Sequence, residues 1–199
     1  MNRDTMLRNT TFLLPAILAI AACQTEPAGD PPLAGAAIGG DFTLTGEDGN
    51  PVSWNDFDGQ YRTIYFGYTY CPDVCPVDTQ SAMAGLKAFE EENPQLGARI
   101  QPLFVSVDPD RDTPEALTEF TDSFHPRLIG TTGTSEQLDA VTRDFAATYT
   151  IGEKEENGGY LVGHTNLTYL FGPDGEPLAM LPTDEGSAAV AAELEKWVR

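Results

Sequence analysis

Positive charge, histidine and cysteine are all scarce in this sequence. Only 11 Lys and Arg stand against 31 Asp and Glu in 199 residues, for a formal net charge of −20. A chain this acidic has no electrostatic footing on a phosphate backbone or an anionic lipid surface. Nucleic-acid binding and polybasic membrane attachment are therefore excluded. The charge fits a basic or metal-ion partner, and equally a general adaptation of the surface. With 2 histidines and 3 cysteines, each such residue has to be accounted for individually. No internal repeat is visible, and no proline occurs between Arg127 and Gly172.

Apolar runs are short as well. Thr11 to Ala22 is the longest near the start, preceded by Arg3 and Arg8. It has the length of a signal peptide and is too short to span a bilayer as a helix. It ends in Ile20-Ala21-Ala22-Cys23, which resembles a bacterial lipoprotein processing site. That resemblance implies a signal peptide over 1–22 and a lipid anchor on Cys23. The alternative is an ordinary secretory signal with Cys23 left as a free thiol. The anchor accounts better for a lone cysteine in an oxidising compartment. Residues 24–40 are rich in Pro, Ala and Gly without periodicity, so 23–40 reads as a flexible tether to a domain over 41–199.

The organising stretch is Tyr65-Phe-Gly-Tyr-Thr-Tyr-Cys71-Pro-Asp-Val-Cys75-Pro76. An aromatic run of buried-strand type leads into two cysteines, each followed by proline. Proline disfavours the helical conformation in the residue before it and suits the first turn of a helix. The expectation is a tight turn carrying Cys71 and Cys75, with a helix from Pro76 to about Glu91. Cys75 would then lie beside the helix N-terminus, where the partial positive charge favours a thiolate. Two thiols so placed are a redox pair or two soft metal ligands.

Around this stretch the chain alternates strands and helices. Phe42 and Leu44, then Val52 and Trp54, flank Glu47-Asp-Gly-Asn50 and predict a β-hairpin. Met83, Leu86 and Phe89, with Ala82, form one apolar face of the first helix, which makes Met83 a core residue rather than a ligand. A strand over 100–107 leads to Asp108-Pro-Asp-Arg-Asp-Thr-Pro-Glu115, where Thr113 caps a helix beginning at Pro114. The acidic alternation resembles a calcium loop, but Thr113 stands where glycine is required and Pro114 follows, which argues against calcium. Leu128 and Ile129 start a short strand, and Thr134-Ser-Glu-Gln137 opens a helix through about Tyr149. A hairpin or loop over 151–161 precedes a strand over 162–171, entered through His164. Another turn, strand and a Ser187-capped helix close the chain. This order gives an α/β, thioredoxin-like three-layer fold with an N-terminal β-hairpin extension.

A thioredoxin-like redox enzyme normally has two residues between its cysteines and a cis-proline facing them. Here three residues intervene, the proline is missing, and His164 falls at or near its place. Two thiolates and an imidazole suit copper, whereas structural zinc usually takes a fourth protein ligand that is not evident. Two cysteines alone would suggest a structural disulfide in an exported protein; His164 on the facing strand reverses that preference. His125 reads as a surface residue.

The Cys71-Pro-Asp-Val-Cys75-Pro turn, Val105-Ser-Val-Asp-Pro-Asp-Arg-Asp-Thr-Pro-Glu115 and Gly163-His164-Thr-Asn-Leu-Thr-Tyr-Leu-Phe-Gly-Pro-Asp-Gly175 together resemble the motifs of the Sco/SenC family. The resemblance implies a thioredoxin-like copper protein, anchored to a membrane, that helps assemble the binuclear copper site of cytochrome c oxidase. It places the copper ligands on Cys71, Cys75 and His164. It implies as partners the copper-bearing oxidase subunit and a second periplasmic copper chaperone, and as location the bacterial periplasm, with the inner membrane preferred. One departure is Gly163, where the family often has Asp. The competing readings are a thiol–disulfide oxidoreductase using Cys71 and Cys75 and, with little to support it, a peroxide reductase.

Overall fold

The computed structural model describes residues 29–156 and 158–199. The expected signal peptide, the anchor Cys23 and Asn157 lie outside the described residues. The strands are β1 (Thr43–Gly46), β2 (Pro51–Ser53), β3 (Tyr61–Gly67), β4 (Ile100–Ser106), β5 (Ile129–Thr132), β6 (Tyr149–Ile151), β7 (Val162–His164), β8 (Thr168–Phe171) and β9 (Pro177–Leu181). The helices are α1 (Val74–Glu92), α2 (Pro94–Gly97), α3 (Pro114–Asp122), α4 (Ser135–Asp144) and α5 (Ser187–Trp197).

Seven strands form one sheet in the order β2-β1-β5-β4-β3-β8-β9, and β6 pairs with β7 separately. β3, β4 and β5 run parallel, joined through α1 and α3, while β8 lies antiparallel to β3. Crossovers of one hand that step in one direction across a sheet put their helices on the same face. Ring contacts agree with this. Phe104 on β4 packs on Phe120 of α3 at 4.8 Å and stacks with Tyr65 of β3 at 6.1 Å. The neighbouring Phe66 points the other way, towards Phe145 after α4. There Phe145, Trp54, Phe171 and Phe42 meet edge to face, with centroids 5.1–5.8 Å apart, a geometry that matches ring edge to ring face. The fold is thioredoxin-like, and the N-terminal hairpin pairs Leu44 with Val52 as its alternation predicted.

Several boundaries differ from those expected. Helix α1 begins at Val74, two residues before Pro76, so Cys75 is helical and does not lie on the preceding turn. Pro76 is tolerated there because first-turn N–H groups have no intrahelical acceptor. Helix α4 stops at Asp144: Ala146 takes a left-handed φ of 51° and Ala147 N–H donates to Thr142 O at 2.7 Å, a helix-ending arrangement. This also turns Phe145 into the aromatic cluster. The strand expected over 162–171 is two strands, broken at 165–167, where Thr165 N–H donates to Thr148 O. Ser187 is the first residue of α5 and makes no cap; Gly186, at φ 89°, occupies that position. The described part of the expected tether lies against the domain. Leu33 N–H donates to Leu178 O, Gly39 N–H donates to Asp144 O, and Leu33 and Ile38 pack on the core. Their apolar side chains gain more from burial than the Pro- and Gly-rich composition around them suggests. His125 is buried, 6% exposed, with Nε2 3.4 Å from Glu90 and Nδ1 accepting from Arg127 N–H. Its backbone is also tied in, with His125 N–H donating to Thr121 O and His125 O accepting from Leu128 N–H.

The α1–α5 contact depends on Gly85. A Cβ there would lie 2.6 Å from Val190 Cβ and 2.8 Å from Ser187 O. Overpacking of this kind costs about 1–3 kcal/mol. Gly85→Ala is therefore expected to lower the unfolding free energy by that amount, seen as a lower urea midpoint with an unchanged slope by far-UV circular dichroism.

Candidate metal centre

β3 and β8 pair antiparallel, with Tyr65 opposite Thr168. The segment leaving β3 and the segment entering β8 therefore emerge at the same edge of the sheet. The first carries Cys71 and Cys75 and the second carries His164. Cys75 Sγ lies 3.0 Å from His164 Nε2, and Cys75 N–H donates to Cys71 Sγ at 3.4 Å. The ligand atoms of Cys71, Cys75 and His164 all lie within 4.8 Å of one another. Among the described residues this is the group of three or more Cys, His, Asp or Glu side chains able to surround one ion. Neither thiol is in a disulfide. All three expected site residues are thus brought together. Met83 is buried in the core, as its helical stripe required, and His125 is not in the group.

The surroundings of each donor follow from local structure. Cys75 is fully buried in the first turn of α1, against Gly67 at the end of β3. A Cβ at position 67 would stand 3.2 Å from Cys75 Sγ, 2.8 Å from Tyr65 and 3.1 Å from Phe104, so glycine makes room for the sulfur. His164 is held by the edges of two tyrosines, Tyr65 at 6.0 Å and Tyr68 at 5.8 Å. Its Nδ1 lies 3.1 Å from Thr165 O. A proton on Nδ1 donated to that carbonyl leaves the Nε2 lone pair directed at Cys75, the tautomer a metal ligand requires. Cys71 is partly exposed and opens, with Pro72, Val74, Leu161 and Asn166, onto a cleft of about 520 Å³.

Burial pushes the Cys75 thiol well above its ordinary pKa, and the neighbouring Cys71 sulfur adds to this. The thiolate expected from the helix N-terminus is thus not the resting form of Cys75. Desolvation in the first turn outweighs the helix dipole. Tyr65 O–H donates to Asp78 Oδ2 at 3.2 Å beneath the site, and burial raises the pKa of that carboxyl too. The donor set fits a soft ion: two sulfurs and one imidazole gathered within 4.8 Å, close to twice a metal–ligand bond of about 2.0–2.3 Å.

The acidic loop 108–115 has a role the sequence did not disclose. Asp112 is buried and accepts from Thr69 N–H (2.9 Å), Thr69 O–H (2.7 Å) and Ser106 O–H (2.6 Å), which braces the turn to Cys71. Asp108 is also buried and accepts from Tyr160 O–H at 2.6 Å and Arg111 Nε at 2.5 Å. Both carboxylates are taken up by protein donors on neighbouring segments. The sequence signal was an Asp-Pro turn straight after a buried strand ending in Ser106, which points to inward-facing carboxylates.

Comparison with known proteins agrees with this geometry. The SCO1/SenC family model matches residues 30–199. The chain belongs to the SCO1/SenC family. It is 44% identical over 140 residues to Protein SenC of Rhodobacter capsulatus, covering 70% of this chain and 61% of that one. It is 38% identical over 162 residues to the mitochondrial SCO1 homolog of Mus musculus, covering 81% of this chain and 56% of the relative. The chain thus spans a little over half the length of that relative. Among solved structures, Arabidopsis thaliana ScoI with copper bound superposes with a TM-score of 0.74 at 34% identity, over 80% of this chain and 97% of that one. In this SCO1/SenC member, no described helix is long and apolar enough to cross a membrane.

Because the raised Cys75 pKa lies above neutrality, that thiol holds its proton throughout pH 6–8 and must lose it to become a ligand. Metal uptake is expected to release at least one proton per ion, and affinity to rise at least about tenfold per pH unit in this range. Calorimetric titration in buffers of different ionisation enthalpy measures the release.

Proposed function

We propose that this protein is an exported, lipid-anchored copper carrier that serves assembly of the binuclear copper site of cytochrome c oxidase. Cys71, Cys75 and His164 would be the ligands. The carrying observation is the convergence of two sulfurs and an imidazole within 4.8 Å at one cleft. The copper held by a family member of the same fold supports the choice of metal. Copper is then cargo, and the geometry suggests the order of its transfer. Cys71 is the partly exposed thiol, like His164, while Cys75 is buried. An incoming thiolate displaces Cys71 first, and Cys75 is released last. Ligand exchange of this kind passes through no free ion, which a soft donor set at an open cleft permits.

The rim of the cleft is suited to a protein partner. Tyr70 (58% exposed) and Val74 lie on the cysteine side, and Leu161 (61% exposed) and Leu167 lie on the histidine side. Exposed apolar residues gathered at one place mark an interaction surface. The partner of this reading is the copper-bearing oxidase subunit, with a second periplasmic chaperone as copper donor. The anchor at Cys23 would hold both encounters at the periplasmic face of the inner membrane. Gly163, where the family often carries Asp, has open space around its Cα, the nearest atom to an added Cβ being Thr150 O at 4.0 Å. The lack of a carboxylate there is thus a matter of charge and partner choice rather than packing.

The test is anaerobic Cu(I) and Cu(II) titration of the reduced chain from Gln24, repeated on His164→Ala. One copper per chain is expected, with a thiolate-to-copper absorption band for Cu(II) that His164→Ala abolishes. Retention of no copper together with rapid Cys71–Cys75 disulfide formation would sink the proposal in favour of thiol–disulfide exchange.

A further inference from the structure

We propose that Arg111 is a positioning residue that pins the His164-bearing hairpin to the cysteine-bearing turn and so sets how readily the imidazole leaves the thiol pair. The inference rests on the copper reading only for its consequence; the pin itself is a property of the metal-free protein.

Among the described residues the strands of the β6–β7 hairpin pair only with each other, so no strand ladder ties the hairpin to the main sheet. Its two ends are fastened by side chains. At one end Tyr149 O–H donates to Asp139 Oδ1 at 2.8 Å. At the other, Tyr160 lies four residues before His164 and meets Arg111 in three ways. Arg111 Nη1 donates to Tyr160 O at 2.9 Å, its guanidinium lies 3.6 Å from the Tyr160 ring centroid, and both residues bond to Asp108. The same guanidinium lies 5.5 Å from the ring of Tyr68 and 5.2 Å from that of Tyr70, the residues that lead into Cys71. One planar cation therefore touches both ligand-bearing segments. Its buried Nη2 has no hydrogen-bond partner, as expected of a guanidinium packed among aromatic faces, where the π systems replace an acceptor.

Asp112, one residue on, has its hydrogen bonds with Thr69 on the cysteine side and with Ser106. The two halves of the loop thus have separable roles. Asp112 fixes the thiols, and Asp108 with Arg111 fixes the imidazole relative to them. A charge-assisted hydrogen bond combined with cation–π contact is sufficient to shift a local opening equilibrium about ten- to a hundredfold. Lysine retains the charge but not the planar fork that stacks and donates together.

Amide hydrogen exchange on the reduced, metal-free full chain tests the pin. In Arg111→Ala, exchange over 149–164 is expected to rise about ten- to a hundredfold, while β3 and β4 keep their native protection; Arg111→Lys should fall between. Tyr160→Phe, which deletes only the hydroxyl bond to Asp108, should give a smaller rise in the same segment and covers the case in which Arg111→Ala does not fold. In the copper-loaded chains, release to a competing chelator should accelerate in the same order, with a shifted thiolate-to-copper band. Native exchange over 149–164 in a folded Arg111→Ala, or a rise shared equally by β3 and β4, would overturn the proposal. A faster hairpin in chains that hold no copper would leave the pin standing and remove the copper reading instead.

Discussion

The antiparallel pairing of β3 with β8 is the constraint on which the site depends. With Tyr65 opposite Thr168, the residues after one strand and before the other have nowhere to go except the same sheet edge. Residues 75 and 164, far apart in the chain, then come within 3.0 Å. The remainder of the architecture protects that pairing. β4 flanks β3 on its other side in full register, from Tyr61 opposite Ile100 to Gly67 opposite Ser106, and both faces of β3 are buried. A strand enclosed in this way resists sliding, because a slip of one residue would turn every side chain to the wrong face.

The site also balances two opposed demands. In the proposed role of copper carrier, it has to hold a soft ion firmly and still surrender it. Full burial of Cys75 beneath Gly67 favours retention, since the sulfur is shielded from an incoming ligand. Partial exposure of Cys71 and the open cleft beside it favour release. The acidic excess of the chain has little part in this geometry. The buried carboxylates Asp78, Asp108 and Asp112 are turned inward and satisfied by tyrosine, serine, threonine and arginine donors. They act as braces, and buried polar networks of this kind specify one arrangement when every member is satisfied.

Much of this was legible in the chain before any fold was known. The helical stripe of Met83, Leu86 and Phe89, the Thr113 cap before Pro114, and the Thr134–Gln137 capping box all appear where their patterns placed them. Local chemistry suffices for such features because capping and periodicity are read over three or four residues. The errors were of another kind. Phe145 ends α4 early because an aromatic cluster distant in sequence claims its ring. His125 is buried by neighbours it cannot be seen to have in sequence. Leu33 and Ile38 dock because a core surface awaits them.

By itself, the sequence determined the chemical type of the site: two cysteines at the start of a helix, one histidine ahead of a strand, and an expected α/β order to bring them together. Spacing and residue type are local properties, and donor softness needs no coordinates. Only the tertiary structure decided which thiol is buried and which is open, that the helix reaches back to include Cys75, and that Asp108, Arg111 and Asp112 are engaged with the segments carrying the cysteines and the histidine. Each of these depends on desolvation and on contacts between distant segments, which no local pattern encodes.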